Sequence, residues 1–373
     1  MKKSAIILIV LLSICILSFE VSANEVLGIN EIESGIVNDL SDIIDSDTKE
    51  MLRKIGVSDF SFDEIYNISF DKISSFFTET LIDKIKLAMK DFYTLFSAVL
   101  LLGLISVLFK GYADENFLNI LSCVIITLLA VNVVKDSISA VASVLQTSGK
   151  FMVGFAPIYT LLISLSGNAA SALTYNTIAV FLAEFISSVL SFASIDLIGM
   201  YFCFGISFSM NENINIGRFT SVIGRVAGIG LGLISSVFTG FLSLKNILSV
   251  SVDRVSVRSI RYLISSLIPV VGSSISDAYS SLIGSINLIK SSVAIVGILV
   301  IVIINTPVLI ETLVYYIAFN LLSYIADILS EGRIADVFRM LICGIRILLL
   351  ICVFEMFILI ITTGIMLSLK NGG

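Results

Sequence analysis

From residue 92 to residue 367 the chain is a succession of apolar runs, at 92–109, 117–134, 151–166, 173–192, 197–208, 219–244, 293–310, 313–329 and 341–367. Most approach the roughly 20 residues that a helix needs to cross the hydrocarbon layer of a bilayer. Backbone groups in lipid must be satisfied within the segment itself, so runs of this kind predict helices. With 57% hydrophobic and 14% charged residues among 373, the chain has too little charge to cover a soluble globule of its size. The expected fold is all-α: a polytopic integral membrane protein. The run at 197–208 is short enough to be half a helix or a re-entrant piece, and 313–329 carries Asn320 and Asp327, which puts the expected count at seven to nine spans.

The ends of the chain read differently from its middle. Lys2 and Lys3, an apolar core over 5–19 and the small-x-small pattern Val21-Ser22-Ala23 predict a cleavable signal peptide at 1–23, with an uncleaved anchor as the alternative. Either one exports the segment after it. Residues 24–91 form an acidic extracytoplasmic segment, since 24–90 holds 14 acidic and 7 basic side chains while the whole chain is only -6. Ile36, Val37, Leu40, Ile43 and Ile44 share one helical face. Ile73, Phe76, Phe77, Leu81, Ile85 and Met89 continue a stripe that runs into the first span. A segment this small has a thin core, so it is expected to lean on the membrane, on another copy or on a partner. The expected division is a first membrane helix bundle at 92–244, a basic amphipathic segment and turn at 245–290, and a second bundle at 291–373.

Several chemistries find no residues to perform them. Histidine and tryptophan are absent, and the five cysteines show no C-x-x-C spacing, so no metal and no cofactor are expected. No Gly-rich phosphate loop, paired catalytic carboxylates or nucleophile elbow is present, so the chain is expected not to be an enzyme. Its acidic balance argues against a nucleic-acid partner.

Small residues are instead laid out in strips. Gly224, Gly228, Gly232, Ser236 and Gly240 recur every four residues, and Gly272, Ser276, Ser280 and Gly284 form a second strip after Pro269-Val-Val-Gly272. On a helix each strip is a nearly bare stripe along which another backbone can approach closely, the device by which helices associate in lipid. The contact is either within the chain or between subunits, including a homo-oligomer. Between the strips, Lys245, Arg254, Arg258 and Arg261 stand against a single Asp253, which predicts a cytoplasmic, interfacial basic face. Over 247–268 a helix with these arginines on one face competes with a strand, because Val250, Val252, Val255 and Val257 nearly alternate.

Ionisable groups at membrane depth complete the candidate set. Glu184 lies mid-run, and Glu355 lies near the centre of the last run with Arg346 nine residues before it. A charge at that depth costs roughly 2.5 to 3.5 kcal/mol on insertion scales, so it is expected to face a bundle interior, an aqueous path or an opposite charge. The alternative is a neutral carboxylic acid hydrogen-bonded between helices. Asn305-Thr306-Pro307 with Glu311 is a helix interruption that either binds an ion through freed carbonyls or only kinks the helix.

The run Ser236-Val-Phe-Thr-Gly-Phe-Leu-Ser243 and the run from Val255 through Arg258, Arg261, Pro269-Val-Val-Gly272 to Asp277 resemble the central signature of the stage III sporulation protein AE family. The resemblance extends over the leader, the acidic segment and the multi-span body. It implies a membrane component of the mother cell–forespore channel, a feeding-tube or secretion-like complex required for endospore development. It implies a place in the mother-cell membrane around the forespore, with the N-terminal segment in the intermembrane space. The implied partners are other stage III sporulation A operon proteins, an ATPase and ring-forming subunits, and indirectly the forespore's stage II protein Q, besides membrane lipid. The resemblance brings no catalytic residues. The competing expectation is a secondary transporter or permease moving a small solute or ion, motivated by Glu184, Glu355 and the Pro307 break.

Overall fold

Every described element of the computed structural model is helical. The structure describes residues 30–58, 64, 68–109, 115–209, 218–234, 236, 238–240, 272–329 and 332–367. The expected signal peptide, and the basic segment with Lys245, Arg254, Arg258, Arg261 and Pro269, lie outside the described residues. For Gly272, Ser276 and Ser280 only the helical course of the backbone is described.

Two short helices open the described chain, α1 at Asn30–Ile43 and α2 at Ser46–Lys54. Asp45 caps α2: its carboxylate accepts from the Thr48 amide at 3.3 Å and from the Thr48 hydroxyl at 2.6 Å. Gly56, at φ 91°, ends the unit in the left-handed conformation that a side chain would strain. Ile36, Leu40, Leu52 and Ile55 are buried. Alone this pair would hide little, and it leans on its own chain: α1 meets the long helix that contains Gly154, and α2 meets the helix that contains Pro307.

The contact at Gly154 is close enough to test. A Cβ there would lie 2.7 Å from Ile43 Cγ2 and 2.9 Å from Ile43 Cβ. Ile43 is branched at the contact and has no free end to swing away. Gly154→Leu is expected to push α1 off the bundle. In limited proteolysis, residues 30–58 are then cut much faster than in the parent while the remainder digests as before; equal cutting rates would show that α1 does not depend on this contact.

Among the described residues, six helices are long and apolar enough to cross a membrane. They are α3 at Phe70–Leu108; α4 at Glu115–Leu165; α5 at Ala169–Glu184, continuing through π-helical turns at Phe185–Leu190 and Ala193–Leu197 into α6 at Ile198–Ser209; α7 at Arg218–Gly240; α8 at Gly272–Ile328; and α9 at Gly332–Leu367. The nine apolar runs fall into six of the described helices. The runs at 117–134 and 151–166 are both α4, those at 293–310 and 313–329 are both α8, and those at 173–192 and 197–208 belong to one continuous helical rod. At about 1.5 Å per residue, the 51 residues of α4 extend roughly 76 Å, more than twice the ~30 Å of hydrocarbon in a bilayer.

Polar residues break the runs in sequence without breaking the helices, because their side chains find partners across the bundle. Lys84 of α3 pairs with Glu311 of α8. One turn further along α8, the Tyr315 hydroxyl donates to Asp91 of α3 at 2.8 Å. Gln146 of α4 donates to Ser191 at 3.3 Å. In the rod beyond α5, the Ser187 and Ser194 hydroxyls donate to the Ala183 and Leu190 carbonyls, four residues back, at 2.7 and 2.8 Å. Such back-bonds compete for the ladder acceptors and accompany the widened π turns.

Packing draws all the long helices into one core that runs from Ile36 to Leu359. Along α4, Phe151, Phe155 and Tyr159 stack at 5.4 and 5.5 Å, and Tyr175 of α5 meets Tyr159 edge-on at 5.0 Å. Gly297 of α8 sits over the Phe155 ring, and Gly344 of α9 over the Phe202 ring. At the α8–α9 turn, Arg339 binds Asp327 through two 2.8 Å contacts and Asp336 at 2.7 Å. This pairing accounts for Asp327, the charge that made the run at 313–329 look unlike a span.

Candidate functional site: an open glycine face and a buried acceptor cluster

The first small-residue strip lies on α7, and its glycines have different surroundings. Near the start of α7, Phe219 stacks on Tyr201 at 5.7 Å, and the Thr220 carbonyl accepts from the Cys343 thiol at 3.2 Å. One turn on, Gly224 is buried against α9, where a Cβ would run into the Arg346 guanidinium and come within 3.0 Å of Cys343 Sγ. Here the strip serves packing within the chain.

Further along, Ala227, Leu231 and Phe238 still pack on the core, while the glycine face turns outward. Gly228 is half-buried and Gly232, Ser236 and Gly240 are exposed, and around Gly228, Gly232 and Gly240 no described atom lies within 4 Å of where a Cβ would stand. Val226, Ile229 and Leu233 beside them are exposed as well. Gly284 of the second strip is likewise open. Ser236 bonds back to the Gly232 carbonyl at 2.8 Å, leaving no hydroxyl standing proud of the stripe. On its glycine side, α7 beyond Gly224 therefore presents an apolar surface with no described atom close to it.

The ionisable candidates separate in the same way. Glu184 is the last α-helical residue before the first π turn and points away from the core. Arg346 is exposed and lies against α7; nine residues at about 100° each put it on the face of α9 opposite Glu355, so the two do not pair. Pro307 is accommodated inside an α8 that continues to Ile328. Glu311, near that proline, is held by Lys84.

Glu355 is the ionisable candidate that the fold buries, at 0% exposure. It faces Ser148 of α4 and Asn305 of α8, both also fully buried. Asn305 Nδ2 donates to Ser148 Oγ at 3.3 Å and to the Ile301 carbonyl at 3.0 Å, which fixes the amide. Neither Glu355 oxygen has a hydrogen bond of proper geometry, and Asn305 Oδ1 has none. About two turns along α9, Thr363 Oγ1 and the Tyr159 and Tyr175 hydroxyls are also buried without a hydrogen bond. Sequence reasoning singles out Glu355 and the Asn305-Thr306-Pro307 break separately. It passes over Ser148, the two tyrosines and Lys290, which is 1% exposed in α8. Spacing along one chain carries no signal for which helices share a level in the bundle.

Among the described residues no group of three or more His, Cys, Asp and Glu side chains comes together as a metal site. What the helices do bring together is a packing face on α7 and an acceptor-rich point between α4, α8 and α9. Comparison with known proteins adds the context. The family model for stage III sporulation protein AE matches residues 48–369, from within α2 to the end of α9.

The chain belongs to that family.

The stage III sporulation protein AE of Bacillus subtilis (strain 168) is 23% identical over 210 residues, covering 56% of this chain and 53% of that protein. The chain thus matches about half the length of this curated relative. No solved structure matches it. As a stage III sporulation protein AE relative with six apolar helices of crossing length among its described residues, the protein has a sporulation role and the build of a membrane protein. Its family match includes both α7 and Glu355.

Proposed function

We propose that this protein is a membrane subunit of the channel, or secretion-like, complex that joins mother cell and forespore during endospore development. It sits in the mother-cell membrane around the forespore, with α1 and α2 on the intermembrane side. Its role is to assemble: it catalyses no reaction of its own and works with the other stage III sporulation A operon proteins, an ATPase and ring-forming subunits, and through them with the forespore's stage II protein Q. Membership of the sporulation family supports the process. The open face of α7 supports the mode of action, since a bare, apolar helix face at Gly228 and Gly232 is the kind of surface that gains dispersion contacts when a second transmembrane helix lies against it.

The test uses the lack of any described neighbour at those glycines. Gly228→Leu and Gly232→Leu are expected to leave insertion and thermal stability near those of the parent, because a Cβ at either position has no described atom within 4 Å. They are expected to abolish co-purification of the operon's other products from sporulating membranes and to block spore development. Unchanged co-purification and normal spore counts would remove the α7 face from the assembly. A permease is the second reading, favoured by the buried Glu355 and Asn305, and would be promoted by solute flux from liposomes holding this protein alone.

A further inference from the structure

The Glu355 carboxyl is buried between α4, α8 and α9, beside Ser148 and Asn305, with no counter-charge in reach. The two oxygens of Glu355 and Oδ1 of Asn305 are buried and lack hydrogen bonds. Asn305 Nδ2 is already engaged with Ser148 Oγ and the Ile301 carbonyl, which leaves the Ser148 hydroxyl proton as the one donor beside the two carboxyl oxygens. Reversing the Asn305 amide would place its oxygen against the Ile301 carbonyl, so the orientation is set by the helix itself. Neither Glu355 oxygen has a lysine or arginine hydrogen-bonded to it; Lys84 pairs with Glu311, and Arg339 with Asp327 and Asp336. Buried acceptors left short of hydrogen bonds are unfavourable, and a buried carboxylate without a counter-charge more so.

One kind of ligand resolves both deficits. A monovalent cation accepts oxygen donors from several directions, and its single charge cancels that of the carboxylate; a divalent ion would leave a net positive charge in the core. The donor set is all oxygen and neutral apart from one carboxylate, the chemistry of hard cations rather than of zinc or copper. We propose that Glu355, Asn305 and Ser148 form an internal binding site for a monovalent alkali cation. The site draws its ligands from three helices that are distant in sequence, so an ion bound there ties α4, α8 and α9 together at one level. The inference stands apart from the assembly reading: a scaffold subunit or a permease would each accommodate it.

The experiment uses the full chain in detergent or nanodiscs, at fixed pH and ionic strength, with NaCl, KCl or choline chloride as the salt. Ligands that bind only the folded state raise its thermal midpoint with concentration. The expected result is a midpoint several degrees higher in NaCl or KCl than in choline chloride, saturating with the alkali ion. Glu355→Gln, which keeps the shape and removes the charge, is expected to lose that shift. Asn305→Ala and Ser148→Ala are expected to need at least tenfold more salt to reach it. The proposal is overturned if the parent melts at one temperature in all three salts, as it would if a proton alone occupied the carboxyl, or if Glu355→Gln retains the full alkali shift. Should Glu355→Gln fail to fold, an unchanged salt midpoint in both Asn305→Ala and Ser148→Ala overturns it equally.

Discussion

Gly297→Leu is expected to abolish recovery of folded protein, while Gly228→Leu in the same background is recovered normally. A Cβ at Gly297 would clash with Cζ at the edge of the Phe155 ring, and the ring's Cε2 and Cε1 lie 2.8 and 3.0 Å from it. Phe155 has nowhere to go: it is fully buried and stacked between Phe151 and Tyr159, which is itself held by Tyr175. Overpacking in a tight core costs about 1–3 kcal/mol even when neighbours can shift, and sometimes more. Here relief requires α4 and α8 to separate along the aromatic stack, and much of the core depends on that crossing. Fluorescence-detected size-exclusion after heating checks it. A monodisperse peak with parental thermal stability would show that the α4–α8 crossing is looser than described.

Lys84→Glu is expected to be the next most damaging change, and Lys84→Glu combined with Glu311→Lys to restore most of what it loses. The Lys84 and Glu311 side chains are 27% and 13% exposed, so the pair is largely withdrawn from water. Breaking a fully buried pair costs about 3–5 kcal/mol because the remaining charge is uncompensated, and partial exposure lowers that to roughly 2 kcal/mol here. Reversal adds repulsion between two carboxylates to that loss. The Tyr315–Asp91 bond lies on the same two helices and cannot hold α3 in place against it. Thermal stability of the two single variants and the double variant gives the coupling as a double-mutant cycle. Additive losses would mean that Lys84 and Glu311 do not act on each other.

These two expectations mark where sequence reading stops. The stripe that begins at Ile73 and runs through Met89 is legible as one helix entering the membrane body, and α3 is that helix. Its partner is not, because Lys84 and Glu311 are 227 residues apart. In sequence, Pro307 and Glu311 also mark an interruption. Periodicity weighs local composition, and a proline beside a charge lowers it; α8 nonetheless continues, with Glu311 answered by Lys84. The same effect divides α4 in two at the polar stretch that holds Gln146 and Ser148, whose partners Ser191 and Asn305 come from other helices. For the α7 strip, sequence supplies the bare stripe and leaves its use open between packing within the chain and contact between subunits. Gly224 faces Arg346 and Cys343 of the same chain, whereas Gly228, Gly232 and Gly240 face no described residue.

By itself the sequence determined that the chain is helical and built for lipid, since apolar runs of this length and frequency leave the backbone few other ways to satisfy its hydrogen bonds. It also carried the family resemblance, in motifs local enough to be read without a fold. Only the tertiary structure decided how many rods those runs make, which of Glu184, Arg346 and Glu355 is enclosed, and that Ser148, Asn305 and Glu355 stand together. Local preference reflects neighbours a few residues away. Burial and the pairing of polar groups depend on which helices lie side by side, a relation set by close packing among residues that are far apart along the chain.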